Sequence, residues 1–403
     1  MTAAPPESAL PLGFRFAATA CGLKKTGALD LALLSSDVPA SAAAVFTQNL
    51  VVAAPVRISQ RNLLVSKGRM RAVIVNAGNA NCATRTGDAV ALATSKAAAK
   101  LLRLPVAQVI PSSTGVIGVQ LPVEKILRAL PGLARNRRAS ARSFTELSLA
   151  ICTTDTRPKT ASATFKMSGK RIHLLGCAKG AGMIHPNMAT TLAFVASDAA
   201  IPPSLLQRTL RQVTARTFNA ISVDGDTSTN DTLLVLANGA AGAPRISSGS
   251  KAHRQFTAAL EEVCGSLARQ IVADGEGAQR VIAIEVRGAK TEAAARKIAE
   301  TIATSPLVKT AFAGGDPNWG RIFAAAGRAS VNFDPALVEI TMAGVKVLRK
   351  GQPLPFIVRA ASNRLLAEYV PIVVDLHAGG SRARYWTCDF TAEYVRINAS
   401  YRT

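Results

Sequence analysis

The chemistry available to this chain starts at Ala189-Thr190-Thr191, inside the stretch from Ala178 to Val195. Two glycines, a proline and an asparagine fall within the eight residues from Gly180 to Asn187, which is loop composition. From Thr191 onward the residues are apolar and β-favouring over the length of a strand. Thr190 therefore stands where a bendable loop enters a rigid strand, and small Ala189 just before it leaves room for attack. A hydroxyl held there is suited to nucleophilic work. The plainer reading is β-propensity, since threonines favour strands for steric reasons alone.

Pro111-Ser112-Ser113-Thr114-Gly115-Val116-Ile117-Gly118 reads as a second informative loop. A hydroxyl beside glycine offers one oxygen a side-chain donor and an unhindered backbone N–H, which is what an oxyanion hole needs. An ordinary Ser/Thr turn has the same composition. Ile151 to Lys159 is hydroxyl-rich and polar. Ile221 to Asp231 gathers Asp224, Asp226 and Asp231 with four hydroxyls. It lacks the spacing and the closing Glu of a calcium loop, so capping and turn formation are expected there. In Gly275-Glu276-Gly277 a carboxylate sits on open backbone at a helix end, either reaching a ligand amine or simply exposed.

Strands and helices must position these groups. Arg71 to Val75 predicts a buried strand, followed by a polar turn carrying Asn76, Asn79 and Asn81. A helix is expected from Gly87-Asp88 to about Leu104, with Asp88 as its N-cap. Others are expected from Pro122, over Ser250 to Asp274, and over Glu292 to Thr304. Ala43 to Thr47 and Ala54 to Val56 read as short pieces of a strand-and-turn region, and Tyr394 to Thr403 as a strand-like end. The alternation of strand and helix predicts an α/β protein, and 403 residues suffice for two or more lobes.

Bulk composition excludes several classes. Hydrophobic residues at 48% and charged residues at 18% predict a folded, soluble chain. No apolar run reaches membrane-spanning length, and Met1 to Gly13 has no signal-peptide pattern. The six cysteines are scattered without a CxxC pair and histidines number four, so neither a zinc site nor a disulfide framework is expected. Free thiols suit a reducing cytoplasm. Net charge is +23, with 24 basic against 7 acidic residues before Thr190. The densest basic run, Arg135, Arg137, Arg138 and Arg142, has no interleaved aromatics to stack on bases. A solvated helix end or a field for anionic substrates is expected rather than a nucleic-acid surface.

Several stretches together resemble the glutamate N-acetyltransferase/ornithine acetyltransferase family of arginine biosynthesis. Lys179 to Ile184 with Pro186 to Thr190 is similar to its self-cleavage segment, and Ser113 to Gly118 to its oxyanion loop. Asp224 to Asp231, Asp274 to Gly277, Gly315 to Arg321 and Arg396 to Thr403 match in the same order. The likeness runs from about Gly13 to the last residue. Departures are Ala181 where serine is usual, His185 where a small residue is usual, and Thr191 where methionine is usual.

The resemblance implies a layered helix–sheet α/β architecture in two lobes. It implies self-cleavage between Ala189 and Thr190, giving an alpha chain of residues 1–189 and a beta chain of residues 190–403. The free Thr190 amine would then serve as base for its own hydroxyl, as in N-terminal nucleophile enzymes. The expected reaction is ping-pong: N-acetylornithine acylates Thr190, ornithine leaves, and glutamate takes the acetyl group. Thr114 and Gly115 would form the oxyanion hole. Thr153, Lys179, Thr190, Glu276, Asn398 and Thr403 match substrate-contacting positions. No metal and no cofactor is implied, with acetyl-CoA as a further co-substrate of some members. Assembly would be a heterotetramer of two alpha and two beta chains. Alternatives left open are an ornithine acetyltransferase without acetyl-CoA use, an aminopeptidase or amidase with an N-terminal threonine, and a basic nucleic-acid-binding protein.

Overall fold

The computed structural model describes residues 5–185 and 191–400. The chain opens with β1 (Phe14–Thr19), β2 (Leu31–Phe46), α1 (Ala54–Val65), β3 (Arg69–Asn79), α2 (Gly87–Leu102) and β4 (Val109–Val116). It continues through α3 (Val123–Arg135), α4 (Ala141–Ala150), β5 (Lys159–Met167), β6 (Lys170–Lys179) and β7 (Leu192–Ser197). Next come α5 (Pro203–Arg216), β8 (Ile221–Ser222), β9 (Thr232–Ala237) and the long α6 (Lys251–Ala273). Then follow β10 (Val281–Ala289), α7 (Glu292–Ala303), α8 (Pro306–Ala313), α9 (Trp319–Gly327), β11 (Glu339–Met342) and β12 (Val345–Arg349). The chain ends with β13 (Gln352–Pro353), α10 (Val358–Leu365), β14 (Tyr369–Asp375), β15 (Ser381–Cys388) and α11 (Ala392–Ser400).

These elements form two units, one made mainly of Met1–Asn219 with Asp226–Ile271, the other of Ala220–Gly225 with Val272–Tyr401. In the first, the strands run in the order β4-β3-β2-β9-β7-β6-β5, with β1 added on β2. β2 has three partners, β1 among them along Leu31 to Ser36. Leu31 to Ser41 pairs with β3 and Ser41 to Phe46 with β9, and its register with β3 shifts between Ser35 and Ala40. The exposed residues Asp37, Val38 and Pro39 lie at that shift, and Pro39 has no N–H to give a neighbour. Alternate side chains enter different cores. Ala32 and Leu34 pack with Phe16, Phe144, Phe194 and Leu234, whereas Leu31 and Leu33 pack with Ile74, Ile126 and Leu130 under α3. A sheet face thus meets a helix layer.

In the second unit the order is β13-β12-β11-β14-β10-β15-β8. β10 is parallel to β14 and antiparallel to β15. Ile282, Ile284 and Val286 of β10 pack against Ile298 and Ile302 of α7 and Phe312 of α8. The Thr291 hydroxyl caps α7 by accepting from Ala294 N–H. The α/β class follows from both units.

Several local expectations change. Pro111 to Val116 is strand, not loop, because its backbone is taken up by parallel pairing with β3. Ala54 to Val56 opens a helix, with Pro55 in its first turn where a missing N–H costs nothing. Asp88 lies inside the first turn of α2, whose cap position is Thr86, and its carboxylate pairs with Arg57 at 2.8 Å instead. Tyr394 to Ser400 is helical: Arg396 pairs with Glu393, and Asn398 Nδ2 donates one turn back to the Tyr394 carbonyl. Arg137 donates to the Ala134 carbonyl and Arg142 pairs with Glu146, so the basic run closes a helix and opens the next. Among the described residues no helix is long and apolar enough to cross a membrane.

Candidate active site

The site of the first unit is built where β6 ends and β7 begins. Their antiparallel register sets Lys179 opposite Leu192, two residues after Thr190. Lys179 Nζ donates to Thr114 Oγ1 at 3.3 Å. Four strands stand between β4 and β6 in the sheet order. A flat sheet would hold them roughly 24 Å apart. The sheet of this unit therefore folds back on itself, and the bend in β2 is where its pairing changes.

Backbone crowding fixes Gly115. Its φ is +129°, and a Cβ there would stand 2.3 Å from the Gly78 carbonyl carbon. No side chain fits that gap. Around it the asparagines anticipated as a turn act as a scaffold. Asn76 Nδ2 donates to the Asn79 carbonyl at 2.9 Å, and Ser113 Oγ donates to Asn76 Oδ1 at 2.6 Å. From two residues before β9, Asn230 Nδ2 reaches the carbonyls of Ala80 at 2.7 Å and Ser113 at 2.9 Å. Ser113, beside Thr114 and Gly115, is thus held both from β3 and from the segment that leads into β9.

The charge of Lys179 belongs to a buried group. Asp155 has a fully buried side chain and accepts from Thr153 N–H at 2.9 Å, from Gly180 N–H at 2.6 Å and from the equally buried Lys159. Burial alone would raise the Asp155 pKa, but the ammonium groups of Lys179 and Lys159 overcome it and hold the carboxyl down at about 2. Lys24 is close enough for burial and its neighbours to matter: desolvation lowers its pKa, while Asp155 acts to raise it. Three lysines around one carboxylate leave surplus positive charge beside Thr114. That suits an anionic substrate group.

Within the second unit, Glu276 is 9% exposed and accepts from Asn398 Nδ2 at 2.8 Å. The expected alternative, a freely exposed helix-end carboxylate, does not hold. Gly277, at φ +71°, lets the loop pass against α11, where a Cβ would meet Tyr394 N at 2.5 Å. The Thr391 hydroxyl donates to the Gly277 carbonyl at 2.7 Å.

Thr114, Gly115, Thr153 and Lys179 are therefore brought together, and Glu276 is joined to Asn398. Ala189, Thr190 and Thr403 lie outside the described residues. Of the departures, Ala181 is buried and His185 half-buried. The Thr191 hydroxyl is buried and has no hydrogen-bond partner among the described residues. Among these residues no cluster of His, Cys, Asp and Glu could hold a metal ion. Sequence reading did not single out Asp155, Lys159 or Lys24. An Asp and a Lys four apart are common on any surface, and only burial makes this pair exceptional.

A model of the ArgJ family matches residues 15–403. The arginine biosynthesis bifunctional protein ArgJ of Thermus thermophilus is 48% identical over 395 residues, 98% of this chain and 99% of that protein. The protein of the same name from Gloeobacter violaceus is 45% identical over 97% of this chain and 96% of its own. Among solved structures, a chain of the arginine biosynthesis bifunctional protein argJ from Bacillus halodurans is 41% identical, with a TM-score of 0.51. It covers 52% of this chain and 98% of that one. Identity at this level over the whole length, together with the family model that matches residues 15–403, places this chain in the ArgJ family.

Proposed function

We propose that this chain is a self-processing acetyltransferase of arginine biosynthesis, moving acetyl from N-acetylornithine to glutamate through an acetyl-Thr190 intermediate. The observation that carries the reading is the Lys179–Thr114 hydrogen bond. It sets a cation for a substrate carboxylate beside the hydroxyl and glycine N–H that would hold a tetrahedral oxyanion. Oriented donors of this kind are each worth about 3–4 kcal/mol in the transition state.

Thr190 Oγ attacks the Ala189 carbonyl, and an N→O shift followed by hydrolysis frees the Thr190 amine. An α-amino group has a pKa of about 7.7–8.0, so much of it is free base near neutrality and can take the proton of its own hydroxyl. N-acetylornithine then acylates Thr190, ornithine departs, and the glutamate amine attacks the ester. Lys179 binds the α-carboxylate and Thr153 lines the same end; Glu276 and Asn398, hydrogen-bonded to each other, are assigned substrate contacts by the family pattern. The C-terminal Thr403 is assigned a substrate contact by the family pattern. No metal or cofactor takes part.

The order of strands supports cleavage without dissociation. β9 and β7, from the proposed beta chain, lie between β2 and β6 of the alpha chain. Separating the fragments would break hydrogen-bonded ladders on both sides. The solved Bacillus halodurans chain spans 52% of this one. Assembly of two alpha and two beta chains, a cytoplasmic setting for the six unpaired thiols, and acetyl-CoA as a second acetyl donor complete the proposal.

The test is acetyl transfer by purified protein. Glutamate should become N-acetylglutamate when N-acetylornithine is supplied, with one ornithine released per product. N-acetylornithine consumed at full rate without glutamate would make it an amidase and overturn the reading. Product from acetyl-CoA and glutamate alone distinguishes the bifunctional enzyme from one limited to N-acetylornithine.

A further inference from the structure

Arg69, Ser41 and Ala237 stand side by side on three neighbouring strands of the first unit. Ser41 of β2 is directly opposite Arg69 of β3 on one side and Ala237 of β9 on the other. Directly opposed residues share a sheet face, and small Ala237 leaves the space above it open. This row lies well away from Lys179. β7 and β9 run in parallel register from Leu192–Thr232, at the level of Lys179, to Ser197–Ala237, a span of roughly 17 Å.

A cavity of about 260 Å³ opens over the row. It is lined by Ser41, Arg69 and Ala237, and by Ala200, Ile201 and Arg245 from the loops that follow β7 and β9. Backbone bonds fix its walls. Gly239 N–H donates to the Ala199 carbonyl at 3.0 Å, and Ile246 N–H to the Ala200 carbonyl at 2.8 Å, which holds Arg245 beside Ala200.

The polar groups at this cavity are donors without acceptors. The guanidinium groups of Arg69 and Arg245 are exposed and have no hydrogen-bond or ion-pair partner among the described residues. Ser41 is 4% exposed, and its hydroxyl likewise has no partner among them. Nor has the N–H of Ile201, a residue 3% exposed. Leaving buried donors unpaired is costly. No carboxylate lines the cavity. Asp198, whose carbonyl secures the same loop through Ala241 N–H, turns its carboxylate to His173 and to Leu12 N–H instead.

We propose that this cavity is a second binding site, for a small molecule carrying a carboxylate or phosphate group, with Arg69 and Arg245 as its cationic walls and the Ser41 hydroxyl at its floor. Guanidinium groups present paired N–H donors that match either oxyanion. The volume suits a small metabolite. The site stands whether or not Thr190 is the nucleophile, since none of its residues belongs to the transfer chemistry.

The experiment is isothermal titration of the purified protein at low salt with inorganic phosphate and, separately, with succinate. Each titration is repeated on Lys179→Ala protein, in which binding that survives lies outside the catalytic site. At least one of the two anions should bind there. Phosphate alone identifies a phosphate site, succinate alone a carboxylate site, and both a site open to either oxyanion. Arg69→Gln and Arg245→Gln should each weaken that binding by about 10-fold or more, and the two together should abolish it. Arg135→Gln removes an exposed cation elsewhere in the same unit and should leave binding unchanged, which a general effect of the +23 net charge would not allow. Melting temperatures equal to wild type show that the arginine variants are folded. Binding of neither anion, binding found only when Lys179 is present, or binding undiminished by the double substitution overturns the proposal.

Discussion

Lys179 Nζ and Thr114 Oγ1 are hydrogen-bonded at 3.3 Å although their strands lie at opposite sides of the sheet order. The bond links the cation assigned to substrate carboxylate with the hydroxyl assigned to the oxyanion. Removing the cation should therefore act mainly on binding. Lys179→Ala should raise KM for both N-acetylornithine and glutamate by roughly 10–100-fold, the worth of a charge-assisted hydrogen bond. Steady-state kinetics with each substrate varied in turn checks this. An unchanged KM for both removes Lys179 from the substrate site.

Thr114 should behave differently. Thr114→Val keeps the bulk and removes the donor, so kcat should fall by about 100–1,000-fold with little change in KM. Equal loss in both parameters would mark the residue as a binding contact instead.

Gly115 adds a steric prediction. A Cβ 2.3 Å from the Gly78 carbonyl carbon has nowhere to go without moving β3. Gly115→Ala should cost about 2–4 kcal/mol and lower the melting temperature by several degrees. Gly118→Ala is its control: φ there is also positive, at +78°, but the Cβ meets nothing within 4 Å. The larger effect must fall on Gly115.

Asp155 gives a stability prediction with a defined sign. Its folded pKa is depressed from 3.8 to about 2, so its ionised form stabilises the fold. That contribution, about 2 kcal/mol, is complete above pH 4 and is lost as pH falls from about 4 to about 2. Asp155→Asn removes the buried counter-charge of Lys159 and should destabilise by about 3–5 kcal/mol at pH 7. Urea unfolding at pH 7, 4 and 2.5 should show the gap between variant and wild type narrowing at the acid end. A constant gap would refute the ionic role.

The positions of these residues explain what could be read from the chain. β3, α3, α6 and α7 were legible because each carries its own periodic pattern over a long run. Oxyanion candidates Thr114 and Gly115 are legible as types, but their segment has the composition of a loop, and the pairing with β3 that makes it a strand is a distant event. The helix at Tyr394 failed for a related reason: short polar segments take their form from side-chain contacts such as Glu393 with Arg396. Asp155 was hidden because its burial and the ammonium groups of Lys179 and Lys159, which together set its ionisation, are brought to it only by the folded strands.

The thiols offer a check on packing. Burial pushes the pKa of Cys152 and that of Cys21 to about 12, and those of Cys177 and Cys264 higher. Thiolate is the reactive form. Native protein at pH 7.5 should therefore react with a disulfide reagent far more slowly than unfolded protein, in which all six cysteines are accessible. Fast modification of two or more in the native state would contradict the burial.

The most direct test of the central claim is the intact mass of the purified protein under denaturing conditions, with N-terminal sequencing of any fragment. The account predicts two species, the second beginning at Thr190, which elute together before denaturation. A single 42.0 kDa chain that stays whole at neutral pH would contradict it. Thr190 would then have no free amine, and the transfer chemistry would have no base.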